Sequence, residues 1–191
     1  MGAPAFAEVH PPKAIRTTGG NSPLIMKSDQ NIVLIGMPGS GKSTVGVILA
    51  KQASCGFLDT DVLIQVSEDR SLQQILDTEG HLALRHIEER ILLTVDLENH
   101  VIATGGSAAY SDAAMRHLGC NGVIVFLDTA LTTLEARIHN FSTRGIAKRP
   151  DQSFDDLFQE RLLLYNRYAD LTIPCDGLGQ EEIAGRILDA V

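Results

Sequence analysis

The stretch Gly36-Met37-Pro38-Gly39-Ser40-Gly41-Lys42-Ser43 has the residue types and spacing, G-x-x-x-x-G-K-[ST], that hold the phosphates of a nucleotide. Its glycines let backbone N–H groups converge on phosphate oxygens where a side chain would collide. Lys42 is spaced to reach the β- and γ-phosphates, and Ser43 to hold Mg²⁺. Further along, Asp59-Thr60-Asp61 closes an apolar run. Asp59 could support Mg²⁺, directly or through water, while Asp61 accepts the proton of an attacking hydroxyl or orients that hydroxyl. The structural alternative is that one of the two carboxylates caps a helix beginning near Val62. Arg85 and Glu88 share a helical face. They form a surface ion pair worth about a few tenths of a kcal/mol, or Glu88 holds Arg85 ready to grip a substrate carboxylate. Gly105-Gly106-Ser107 offers backbone N–H groups close to a ligand, or is an ordinary strand-to-helix turn. Arg137, Arg144 and Arg161 complete the set. A lid arginine that swings in can neutralise the charge spread over a transferring phosphoryl group.

Positioning these groups requires strands that end where they begin. The apolar, β-branched runs Ile32–Ile35, Gly56–Asp59, Val101–Thr104, Val123–Leu127 and Leu171–Ile173 read as strands. Helical patterns fill the gaps at Lys42–Gln52, Leu72–Thr78, Gly80–Leu97, Asp112–His117, Ala130–Ile138, Phe154–Tyr168 and Gln180–Ala190. Strands apolar on both faces and alternating with helices imply a parallel sheet covered on both sides. The expected fold class is therefore α/β: a three-layer α/β/α domain with a five-stranded parallel sheet, its ligands at the carboxyl ends of the strands. The polar segment 140–152, with Gly145 and Pro150, interrupts the helical pattern and reads as a lid.

The chain has 191 residues, enough for one domain with a proper core, here residues 31–191. Residues 1–30, rich in Pro, Gly, Ser and Thr, read as a disordered lead-in without a signal-peptide core. A net charge of −8 argues against nucleic acid as partner, and no apolar stretch is long enough to span a membrane. The basic residues Arg137, Arg144, Lys148, Arg149, Arg161 and Arg167 fall close enough in sequence to suggest a local pocket for a small anion. Cys55, Cys120 and Cys175 are odd in number and widely spaced, which suits reduced thiols in the cytoplasm.

Taken together, these residues resemble the shikimate kinases, from about Asn31 to Ala190. The resemblance is carried by Gly41-Lys42-Ser43-Thr44, Phe57-Leu58-Asp59-Thr60-Asp61, Gly80 with Leu84-Arg85 and Glu88, and Ala103-Thr104-Gly105-Gly106. Leu134 with Arg137, an arginine-bearing lid, and Glu160-Arg161 with Leu164-Tyr165 extend it. It implies a nucleoside-monophosphate-kinase-like fold, and transfer of the ATP γ-phosphate to the 3-hydroxyl of shikimate with Mg²⁺ as cofactor, in a cytoplasmic monomer. It implies ATP contacts from Gly39, Ser40, Gly41, Lys42, Ser43 and Thr44, with Arg137 flanking the adenine and Arg144 as the lid arginine. Asp59 and Ser43 would serve the metal. Asp61, Arg85, Arg161, Gly105 and Gly106 would bind shikimate, and Lys42, Asp61 and Arg144 would carry the transfer.

The sequence departs from the family at three places. Ser107 stands where a third glycine is usual, the lid has Arg144-Gly145-Ile146 and a later Arg149-Pro150, and Arg161-Leu162-Leu163-Leu164-Tyr165 lacks a proline. Either lid arginine could be the working one. The departures leave room for another small hydroxylated acid or sugar acid as acceptor. A nucleotide-binding regulatory protein without an acceptor is the remaining alternative, and the Asp59/Asp61 pair and the substrate-type arginines speak against it.

Overall fold

The computed structural model describes residues 29–138 and 145–191. Five strands form one all-parallel sheet in the order β2-β3-β1-β4-β5: β1 Asn31–Ile35, β2 Gly56–Asp59, β3 His100–Ala103, β4 Gly122–Asp128 and β5 Leu171–Pro174. The helices between them are α1 Lys42–Ala53, α2 Thr60–Glu68, α3 Leu72–Leu92, α4 Asp112–Cys120, α5 Leu131–Arg137, α6 Phe154–Tyr168 and α7 Gln180–Leu188. A 3₁₀ turn spans Ala108–Tyr110.

The apolar strands separate their side chains between two cores, because successive residues of a strand face opposite ways. Val33 and Ile35 join Ile102, Ile124 and Phe126 against Leu92 of α3, Met115 of α4 and Leu157 of α6. Ile32 and Leu34 join Val101, Val123 and Val125 against Val45 and Leu49 of α1 and Ile183 and Ile187 of α7. These are the three layers expected from the sequence. β1 lies between β3 and β4, so after β1 the chain first builds one side of the sheet and then the other. The crevice at the carboxyl end of β1 is the place where such a sheet takes its ligand.

Several helical boundaries differ from those expected. The helix after Asp59 starts at once, at Thr60, rather than near Val62. The two expected patterns, Leu72–Thr78 and Gly80–Leu97, are two helices that meet at a kink within Leu72–Leu92, where Gly80 leaves helical geometry at φ 84°, ψ 175°. Only glycine adopts that backbone readily, so Gly80 turns the helix and sets the direction in which Arg85 points. The run ends at Leu92 rather than Leu97, where the Thr94 hydroxyl donates to the Ile91 carbonyl at 2.7 Å and the chain tightens into a turn.

Candidate active site

The loop Gly36–Gly41 joins β1 to α1. Gly41 caps α1 without a side-chain hydrogen bond, so the first N–H groups of the helix stay directed at the crevice. Lys42 folds back over the loop, its Nζ donating to the Gly36 carbonyl at 2.7 Å and the Met37 carbonyl at 3.0 Å. Burial pushes its ammonium down to about 8, against the pull of Asp61 and the other nearby carboxylates. Ser40 is buried with a hydroxyl that has no partner among the described residues, and Ser43 and Thr44 are exposed at the mouth. A cavity of about 570 Å³ opens here, walled by Gly39 to Thr44, Asp61, Glu88, Gly106, Ser107, Arg137 and Arg161, among others.

The capping role foreseen for one of the two aspartates falls to Asp59. Its Oδ1 accepts from the backbone N–H of Asp61 at 3.0 Å and of Val62 at 3.3 Å, which leaves Oδ2 for another partner. Asp61 is thereby turned into the cavity. Burial raises its carboxyl, and Lys42 opposes that rise.

At the other end of the cavity, Arg161 of α6 is only 1% exposed. Its Nη2 donates to the Ala147 carbonyl at 2.8 Å, and Arg85 Nη2 reaches the same oxygen at 3.4 Å. Two guanidinium groups from different helices thus converge on one oxygen. The Nε atoms of both arginines are buried without a partner among the described residues. Gly105 and Gly106 admit this crowding. A Cβ on Gly106 would stand 2.8 Å from Arg161 Nη1. One on Gly105 would stand 2.2 Å from Glu88 Oε1 and 2.6 Å from Asp61 Oδ1, so those two carboxylates face each other across the glycine. The Tyr165 hydroxyl donates to the Gly106 carbonyl at 2.6 Å and fixes α6 to the turn.

Two sequence-level expectations are corrected. Glu88 makes neither a surface ion pair nor a brace for Arg85: it is 3% exposed, and its Oε2 accepts from the Ser107 hydroxyl. Burial and the Asp61 charge push its carboxyl up to about 7, while the Ser107 hydroxyl holds it down. Nor do the basic residues form one pocket. Arg167 pairs with Asp112 at 3.6 Å and Lys148 donates to the Gln152 carbonyl at 2.9 Å, while Arg137 and Arg161 line the cavity.

Arg137 Nη1 reaches the Gly39 carbonyl at 3.4 Å from an exposed position beside the phosphate loop. Arg149 is committed to Glu160 at 3.2 Å, and Arg144 lies outside the described residues. Arg85 opens on a second cavity, of about 160 Å³, behind Ser107 and Tyr110. Sequence reasoning missed Tyr110 as a site residue. The available signal was an aromatic residue three positions after Ser107, just past the glycine turn. It also missed the Leu178–Gln180 wall opposite Arg137, where nothing in residue type marks a function.

Residues 38–191 match the sequence profile of the family described as shikimate kinase. The shikimate kinase of Rippkaea orientalis is 39% identical over 165 residues, covering 84% of this chain and 87% of that protein. The structure of shikimate kinase from Acinetobacter baumannii in complex with shikimate superposes with a TM-score of 0.76 at 29% identity, covering 84% of this chain and 92% of that one. Shikimate kinase from Aquifex aeolicus superposes at 0.70 with 32% identity, covering 83% and 94%.

Proposed function

This chain belongs to the shikimate kinase family, and from that premise we propose that it transfers the γ-phosphate of ATP to the 3-hydroxyl of shikimate. One observation carries the reading for this chain. Two guanidinium groups converge on the Ala147 carbonyl; Arg161 and that residue line the cavity that also holds the phosphate loop and Asp61, and Arg85 opens on the smaller cavity beside Glu88 and Ser107. A planar fork of this kind suits a carboxylate, and the loop suits a triphosphate. An acceptor with a carboxylate and a hydroxyl on a small rigid ring fits between.

In the transfer, the acceptor hydroxyl oxygen bonds to the γ-phosphorus as the β,γ-bridging oxygen leaves with ADP. Asp61 orients the hydroxyl and takes its proton, a role that its raised affinity for protons supports. Lys42 and the first N–H groups of α1 neutralise charge on the phosphates. Ser43 and the remaining oxygen of Asp59 are hard donors suited to Mg²⁺, which keeps most of its shell as water and phosphate oxygens. When bound, the ion would offset charge on the β- and γ-phosphates. Cys55, Cys120 and Cys175 are free thiols, which supports a reducing compartment such as the cytoplasm.

The departure that most favoured a different acceptor was Ser107, and its hydroxyl is already engaged by Glu88. The test is ADP release from ATP and Mg²⁺ with and without millimolar shikimate, alongside quinate and gluconate. Stimulation by shikimate at least a hundredfold above the other acceptors is the expected result. Equal rates with all three would sink the assignment.

A further inference from the structure

Tyr110 lies at the end of the 3₁₀ turn that follows the glycine pair, close to both arginines of the fork. The Arg85 guanidinium carbon is 3.4 Å from the centroid of its ring, and that of Arg161 is 5.5 Å from the same centroid. Arg85 has little else to hold it. Its hydrogen bond to Ala147 is long at 3.4 Å, its Nε has no partner, and it forms no ion pair among the described residues. The face of the ring is therefore a contact as close as that hydrogen bond, and a guanidinium over an aromatic face is both attracted and kept flat.

The ring is held in turn. The Tyr110 hydroxyl donates to Glu160 Oε1 at 2.6 Å. The other oxygen of Glu160 accepts from Gln152 Nε2 at 2.7 Å and Arg149 Nη1 at 3.2 Å. We propose that Tyr110 is a positioning residue for the acceptor: its ring is the platform that fixes Arg85 beside Arg161, and Glu160 locks that platform to the segment carrying Gln152. It selects acceptors that bear a carboxylate. The proposal rests on the reading that Arg85 and Arg161 receive that group.

The experiment compares Tyr110→Met, Tyr110→Phe, Arg85→Ala and the double variant Arg85→Ala/Tyr110→Met by steady-state kinetics, with a thermal melt of each. Tyr110→Met keeps apolar bulk and loses the aromatic face. It should raise the KM for shikimate about tenfold and leave kcat and the KM for ATP within about twofold. Tyr110→Phe keeps the face and should recover most of that loss. In the double variant the methionine should add nothing to the effect of Arg85→Ala, because the ring acts through the arginine. Should Tyr110→Met prove too unstable to assay, Tyr110→Phe against Glu160→Gln decides, since both loosen the ring without removing its face, and the two should give matching small rises in acceptor KM alone. A shikimate KM unchanged by Tyr110→Met while Arg85→Ala raises it would overturn the platform and leave the fork standing. Additive losses in the double variant would also overturn it. An Arg85→Ala enzyme with normal shikimate KM would remove the fork itself, and the platform with it.

Discussion

Glu88 is enclosed by Asp61, Lys42, Arg161 and Ser107, and its carboxyl stands at about 7 against an ordinary 4.5. A group that holds its proton more tightly when folded contributes stability in full below about 4.5, and that contribution drains away as pH rises to about 7. Glu88→Gln stays neutral throughout. Its stability relative to the wild type should therefore climb across that window, by about 3 kcal/mol at most, and then level off. Denaturant melts at pH 5 and pH 8 check this, and parallel curves for the two proteins would refute it. Lys42 runs the other way. Its ammonium is partly neutral above about 8 in the free enzyme, and phosphates beside it favour the charged form. ATP binding should take up protons there, and ATP affinity should fall as pH rises through that value. Calorimetry in buffers of different ionisation enthalpy reads this directly; no buffer dependence would mean that Lys42 does not meet the phosphates. The residue types at these positions were legible in the sequence, but their partners were not. Arg85 and Glu88 share a helical face at a spacing of three, yet each finds its partner in the 107–110 turn, which comes from elsewhere in the chain.

Among the elements, the bend at Gly80 bears most directly on the site. Beyond the neighbouring backbone of its own helix, no atom lies within 4 Å of where its Cβ would be, so Gly80→Ala meets no packing clash and suffers chiefly the backbone cost of its positive φ. That cost is about 1–3 kcal/mol, which in a domain of this size lowers Tm by roughly 2–10 °C. Because Arg85 lies one turn and a half further on, the shikimate KM should rise while the KM for ATP stays put. A melt and a pair of saturation curves suffice, and an unchanged Tm would show that the bend is dispensable. The strands were legible because each is a short apolar run ending at polar or glycine residues, and all five were placed within a residue or two. The helix after Asp59 was less so. Its start coincides with residues that also read as chemistry, and the same carboxylate caps the helix and remains open to a metal. The interruption at Gly80 was visible as a break in pattern.

At the scale of the whole molecule, the site is the meeting place of both halves of the sheet. ATP and shikimate would each touch elements from more than one layer, so neither can bind the unfolded chain well. Saturating ligand at about a hundred times its Kd should add about 2.7 kcal/mol, a rise in Tm of roughly 5–10 °C. Differential scanning calorimetry with ATP, with shikimate and with both would test it, and no shift with shikimate alone would mean that its pocket forms only after the nucleotide. The Ala147 carbonyl between Arg85 and Arg161 has a further consequence. An acceptor carboxylate received by both arginines would have to replace that carbonyl oxygen at the Nη2 of each. Part of the gain would be the difference between a neutral carbonyl and an anion, and part the partners that the two buried Nε atoms lack. A charge-assisted bond is about twice as strong as a neutral one, and that margin favours the incoming carboxylate over the backbone oxygen. The methyl ester of shikimate, identical in its ring and hydroxyls, brings no such margin and should fail to displace the backbone. The protein would then tell acid from ester by keeping a neutral imitation of the carboxylate already in place.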